Sequence, residues 1–204
     1  MKLIKPLVVA AALAVCTTTA KADFSINFVT IDNLNSALGR VFNLDGTTPL
    51  GAGFSAQVYA GLSAGSLAAV GPAVDFGTTI ATFGSAAAGY IIGSTFTAPS
   101  TTIFGGSVGT YQLRAWDNAG GTITSYEAAV AAGRQFGQSA IVGLGGTVQT
   151  GGFQFGGTPS GGGAPIAPPN VNLHPSFSVV IPEPSTIALG ILGLSGLLLR
   201  RRRE

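Results

Sequence analysis

The stretch Phe54-Ser55-Ala56-Gln57-Val58-Tyr59-Ala60 puts Phe54, Ala56, Val58 and Ala60 on one side of an extended chain and Ser55, Gln57 and Tyr59 on the other. A helix repeats its faces roughly every 3.6 residues and cannot hold a period of two, so these residues are expected to form a strand with one buried face. Phe24-Ser25-Ile26-Asn27-Phe28 repeats the pattern. Further strand candidates are 41–44, 79–83, 90–96, 109–116, 140–142, 147–155 and 177–181, separated by turn signals such as Asp45-Gly46, Gly105-Gly106 and Asp117-Asn118-Ala119-Gly120-Gly121. In such turns glycine supplies positive φ and Asn or Asp tolerates it. Short strands at regular spacing predict an all-β domain, a β-sandwich of jelly-roll or Ig-like type.

One helix is expected among the strands. Thr124-Ser125-Tyr126-Glu127 reads as a capping box with Thr124 as the cap, residues 128–132 propagate it, and Gly133 ends it. The run 156–169 is rich in Gly, Pro and Ser and reads as a loop unable to hold a ladder. No repeat of fixed long period is present, which argues against solenoids and propellers.

Both ends of the chain read as addresses. Lys2 and Lys5, the apolar residues 7–15 and the small-x-small site Ala20-Lys21-Ala22 form a secretory signal over residues 1–22, cut by signal peptidase after Ala22. The one cysteine, Cys16, lies inside that signal, so the exported chain has no disulfide and must be stabilised by its core. A lipoprotein reading of Cys16 is disfavoured by Val15, where a small residue is wanted. At the other end, residues 187–199 are 13 uncharged residues followed by Arg200, Arg201, Arg202 and Arg203. A bilayer crossing takes ~20 residues, so this C-terminal hydrophobic helix is a marginal anchor, with its arginines held on the cytoplasmic side as a stop signal.

Removing both signals changes the charge. Seven of the ten basic residues lie in them, and residues 23–181 keep Arg40, Arg114 and Arg134 against six acids, a net of −3. A mildly acidic domain without a basic stripe excludes nucleic acid as a partner.

Pro182-Glu183-Pro184, the apolar segment 185–199 and the closing arginines resemble, in order and spacing, the PEP-CTERM sorting signal. The resemblance covers residues 182–204 and implies export across the inner membrane of a Gram-negative bacterium. It also implies transient anchoring there and cleavage near Pro182 to Pro184 by exosortase, a membrane cysteine transpeptidase. The implied destination is the cell surface or a biofilm matrix rich in exopolysaccharide. Prolines keep the tripeptide extended, as a protease substrate should be. Residues 111–139 are loosely similar to a pattern in other PEP-CTERM proteins, which assigns no functional residue.

The chemistry between the signals is sparse. Gly61-Leu62-Ser63-Ala64-Gly65 and Gly105-Gly106-Ser107-Val108-Gly109 both match the G-x-S-x-G elbow, but 31 glycines make such matches expected. The single histidine, His174, sits beside Pro175, a poor setting for a general base. One histidine cannot build a transition-metal site, and Asp32, Asp45, Asp75 and Asp117 lie apart rather than in a calcium loop, so neither metal nor cofactor is expected. Glu127 is expected to cap the helix or pair with Arg114 or Arg134. Trp116 and Tyr59 are candidates for stacking on sugar, set against a buried Trp116 whose N–H meets a carbonyl. The expectation is an exported structural or adhesive protein associated with exopolysaccharide and not an enzyme. A carbohydrate-binding module using exposed aromatics is the first alternative, and an exported hydrolase the second.

Overall fold

The computed structural model describes residues 22–31, 38–77, 88–100, 103, 105–143, 153–159 and 163–182. The expected signal segment before Ala22, Cys16, Asp32, the candidate strand 79–83, residues 147–152 and the tail beyond Pro182 lie outside these residues. The described chain is all-β with one short helix. In chain order it runs β1 (Ala22–Val29), β2 (Val41–Phe42), β3 (Phe54–Gly61), β4 (Ala68–Asp75), β5 (Ile92–Ser100) and β6 (Val108–Asp117), then α1 (Tyr126–Ala131), β7 (Phe136–Gln138), β8 (Val142–Gly143), β9 (Phe153–Gln154) and β10 (Phe177–Ser178). No helix among the described residues is long and apolar enough to cross a membrane.

Strands β3 and β6 form the centre of an antiparallel sheet of six strands, paired without interruption from Phe54 opposite Asp117 to Gly61 opposite Thr110. Strand β4 flanks β3, while β7, β8 and β9 take successive stretches of the far edge of β6. The alternation read from Phe54 to Ala60 sets the register of side chains. Ala56 faces Ala115, Val58 faces Leu113 and Ala60 faces Tyr111, and these six residues join Phe24, Ile26 and Phe28 of β1 in one buried cluster. Strand β1 itself pairs antiparallel with β5, with an irregularity between Asn27 and Val29.

The opposite face of the sheet is not the wet face that simple alternation predicts. Ser55, Tyr59 and Trp116 are buried there, and Tyr59 and Trp116 pack with Tyr126 and Ala129 of α1. The helix is a lid on a second, smaller core, which is why a polar-looking face carries a tyrosine and the single tryptophan.

The helix starts one residue later than expected. Ser125, not Thr124, is the cap: its Oγ accepts from the Ala128 N–H at 3.2 Å, and Gly133 follows with φ of 64°. Glu127 does not close a capping box and turns to Arg114 instead. Ser125→Ala is expected to cost about 1 kcal/mol, the usual worth of an N-cap, while Thr124→Ala leaves stability within about 0.5 kcal/mol; urea titrations of the two variants check this.

The described residues of the run 156–169 form no strand or helix, as expected of a loop or linker, but isolated bridges tie it down. Gly156 exchanges both backbone hydrogen bonds with Ser25, at 2.9 and 3.0 Å, and Gly157 does the same with Ile166, at 2.8 and 2.9 Å. Glycine permits this because a Cβ on Gly157 would lie 2.5 Å from the Asp23 carbonyl oxygen, in a backbone at φ of 108° that disfavours any side chain. From there the chain returns as a strap, residues 163–182. The strap meets β1 where Asn27 N–H donates to the Pro169 carbonyl, meets Gly39 at the His174 carbonyl, and pairs in parallel with β2 through β10. It ends on the outer edge of β7, where Val180 and Phe136 exchange hydrogen bonds of 2.7 and 3.0 Å.

Candidate functional site

Of the residues singled out from sequence, Trp116 and Tyr59 are both brought under α1 and away from solvent. Trp116 has no exposed surface and its Nε1–H donates to the Ile123 carbonyl at 3.0 Å; Tyr59 is 4% exposed. Neither offers a face on which a sugar could stack, and the stacking role is withdrawn for both.

Around them lies a polar cluster built on neighbouring strands. The Arg114 guanidinium sits 3.9 Å from the Tyr59 ring centre and 5.0 Å from that of Tyr126, and Nη1 pairs with Glu127 Oε1 at 3.2 Å. Tyr59 Oη donates to the Glu127 carboxylate at 2.8 Å, and Arg114 Nε donates to Gln112 Oε1 at 3.0 Å. Burial first, and the Glu127 hydrogen bond second, push the Tyr59 phenol above its usual range, so it remains a donor at any physiological pH. Every polar group here is answered by another, and the Glu127 side chain is 61% exposed, so the ion pair contributes at most about 1 kcal/mol. The arrangement fastens α1 to the sheet. The second cation, Arg134, is spent on Asp117 at 3.3 Å.

Neither elbow serine is hydrogen-bonded to His174. Ser63 follows β3 at an exposed turn and caps a short 3₁₀ turn, Ala64–Ser66, its hydroxyl 3.1 Å from that of Ser66. This short helical turn after a strand is closer to an elbow than the sequence indicated, yet no base reaches it. His174 is fully buried in the strap, against the Phe177 ring at 5.8 Å, with Nδ1 3.1 Å from the Pro175 carbonyl. A carbonyl only accepts, so Nδ1 carries the proton and Nε2 is a bare, buried acceptor without a hydrogen-bond partner. Burial lowers the imidazole to about 4.

Asp45 accepts from the Thr47 and Thr48 N–H groups at 2.9 and 2.8 Å and from the Thr48 hydroxyl, which closes the turn after β2 and lowers its carboxyl to about 2. Asp75 binds Ser55 and Asn118, tying the ends of β3, β4 and β6 together. Among the described residues no three His, Cys, Asp or Glu side chains come together as metal ligands.

No family model matches this chain, and neither does any curated protein or solved structure. Two grooves open among the described residues. One, of about 550 Å³, lies between β4 and β5 and is lined mainly by alanines, glycines, Leu62 and Val70, with no charged group. The other, of about 450 Å³, lies between β9 and the strap and carries the side-chain amides of Gln154, Asn170 and Asn172. Sequence reasoning missed the second groove because it follows from the strap folding back on β1, in a segment read as a loop.

The sorting residues fall at the boundary. Pro182 is the last described residue, two positions after the Val180 bridge; Glu183, Pro184 and Arg200 to Arg203 lie beyond it. Ala20 lies outside the described residues at the other end, whereas Ala22 opens β1 opposite Ser100.

Proposed function

We propose that this chain is an exported surface or matrix protein, a β-sandwich delivered by its two terminal signals and released from a temporary membrane anchor by exosortase. The observation that carries the reading is the order Pro182-Glu183-Pro184, apolar 185–199, Arg200 to Arg203. Its placement is consistent with that role. The Val180 to Phe136 bridge ties the strap to β7, Ile181 is 53% exposed, and Pro182 begins the tripeptide in the next position. In the sandwich we propose, β1 and β5 cover the Ala56, Val58 and Leu113 face of the six-stranded sheet, a packing supported by their shared core.

A structural or adhesive role in an exopolysaccharide matrix fits a low-charge domain whose polar groups are engaged with one another rather than gathered into a catalytic set. The hydrolase alternative finds no support in the geometry, because the nearest thing to an elbow serine is at an exposed turn and the only imidazole is sealed in the strap.

Truncation after Pro182 tests the sorting claim. The full chain is expected at the cell surface, with mature termini at Asp23 and near Pro184 by mass spectrometry, and the truncated chain is expected in the periplasm or medium. Surface display that survives the truncation removes the reading.

A further inference from the structure

We infer that the groove between β9 and the strap is a binding subsite for a neutral oligosaccharide, held by the amides of Gln154, Asn170 and Asn172. The inference deepens the matrix reading, on which it rests for the class of ligand, and it moves recognition away from the buried aromatics to a surface of different chemistry.

The groove holds about 450 Å³, near the lower end of the range for a small-molecule site and suited to one or two sugar rings. Its polar groups are amides alone. A carboxamide presents a donor and an acceptor side by side, the pattern that neighbouring sugar hydroxyls answer, since each hydroxyl both donates and accepts. Part of that capacity is already oriented. Asn170 Oδ1 accepts from Asn27 Nδ2 at 2.6 Å, which leaves its NH₂ as a donor, and Gln154 Nε2 donates to the Gly106 carbonyl at 3.3 Å, which leaves Oε1 as an acceptor. Asn172 makes no side-chain hydrogen bond among the described residues, so its full capacity is open to a ligand. Between these groups Ile166, Pro169 and Leu173 supply an apolar patch for the C–H face of a sugar ring.

Rigidity favours a site over an accidental hollow. Asn170 is bridged to Asn27 of β1, Ile166 to Gly157, and the Leu173 N–H donates to the buried Tyr111 hydroxyl at 3.0 Å. The Phe153 ring under the groove packs on Tyr111 with centres 4.6 Å apart. Hydrogen-bonding groups mounted on fixed backbone lose little entropy on binding. Charge selects among saccharides. No cation lines the groove, and residues 23–181 carry a net −3, so a uronate polymer is repelled where a neutral one is not.

The test is binding of the full chain to an array of neutral hexose, N-acetylhexosamine and uronate oligosaccharides, followed by calorimetric titration with the best neutral hexamer. Saturable binding to neutral sugars is expected, falling at least tenfold in Asn172→Ala and in Gln154→Ala with melting temperatures unchanged, while Ser63→Ala binds as the parent does. Binding to no neutral sugar, preference for uronates, or affinity that survives both substitutions overturns the proposal. The truncation after Pro182 separates the two readings, since a truncated chain that still binds neutral sugar but is still displayed leaves the groove standing and the sorting claim lost.

Discussion

Trp116→Ala is expected to destabilise the fold by ~4 kcal/mol, the largest effect of any single side-chain truncation on the outer face of the sheet. The indole is wholly buried between β3 and α1 against Tyr59, Tyr126 and Ala129, and its loss opens a cavity that the short helix cannot collapse into without breaking the Ser125 cap. A second contribution is the Ile123 carbonyl, which loses its donor; this hydrogen bond is partly buried, and its loss costs ~1 kcal/mol. Trp116→Phe separates the two, because it keeps most of the apolar contact and removes only the N–H, and should fall between parent and alanine. Guanidinium titrations followed by circular dichroism give both values. The parent adds an independent reading, since its single tryptophan should emit in the blue, shift to the red on unfolding and be indifferent to added sugar. A red-emitting tryptophan quenched by oligosaccharide would restore the stacking role and contradict the buried geometry.

The same residue marks what the sequence made legible. Alternation in Phe24 to Phe28 and Phe54 to Ala60 anticipated β1 and β3, and the candidate strand 109–116 anticipated β6, because each has a face committed to one core and strand periodicity follows from that commitment. Strand β4 went unread. Its sequence Ala-Ala-Val-Gly-Pro-Ala-Val-Asp contains two residues that argue against a strand, and both are used in a bulge: Ala56 pairs with Val74 but Val58 with Val70, so Gly71 and Pro72 sit in the irregularity. At the sheet's edge Pro72 lacks only an N–H that has no partner to serve, and the bulge discourages pairing with another chain. Gly71, at φ of 69°, also makes room for the Phe96 ring, which a Cβ would approach to 2.8 Å. Strand β7 was missed for a related reason, being three residues long with a glycine at its centre.

The helix cap shows a finer limit. Thr124 and Ser125 are equally good caps by residue type, and Thr124 has Glu127 at the correct spacing for a box. What decides is the pull of the sheet on Glu127, whose carboxylate is claimed by Tyr59 and Arg114, partners 68 and 13 residues away. Local rules cannot see a competitor so distant in sequence. The groove was invisible for the same reason. Its amides are separated from β1 by more than a hundred residues, and only the strap's return puts Asn170 beside Asn27.

Stability of the full chain is expected to fall by ~3 kcal/mol between pH 6.5 and pH 4, and His174 is expected to account for it. The sign follows from proton binding. An unfolded His174 titrates near 6.5, while the folded one is held to about 4 because burial in the strap penalises the charged ring. Between those values the unfolded chain binds a proton that the folded chain refuses, so stability is full above 6.5 and declines as pH drops through the window. Among the described residues no carboxylate is hydrogen-bonded to the ring. The titratable neighbour is Tyr111, whose hydroxyl accepts from the Leu173 N–H and whose pKa is raised by burial, so it remains neutral throughout. Asp45 titrates at about 2 and acts only below the window. Urea midpoints at pH 7.5, 5.5 and 4.5 measure the slope, and His174→Leu supplies the control. Leucine removes the titrating ring and its unmet Nε2 together, so its stability should be flat across the window even if its value at pH 7.5 differs from the parent's. An equal slope in both chains would place the acid sensitivity elsewhere. Because the strap runs from His174 through the Val180 bridge to Pro182, the same protonation should first loosen the segment that precedes the sorting tripeptide, visible as faster amide exchange at Phe177 and Val179 before exchange rises in β3 and β6.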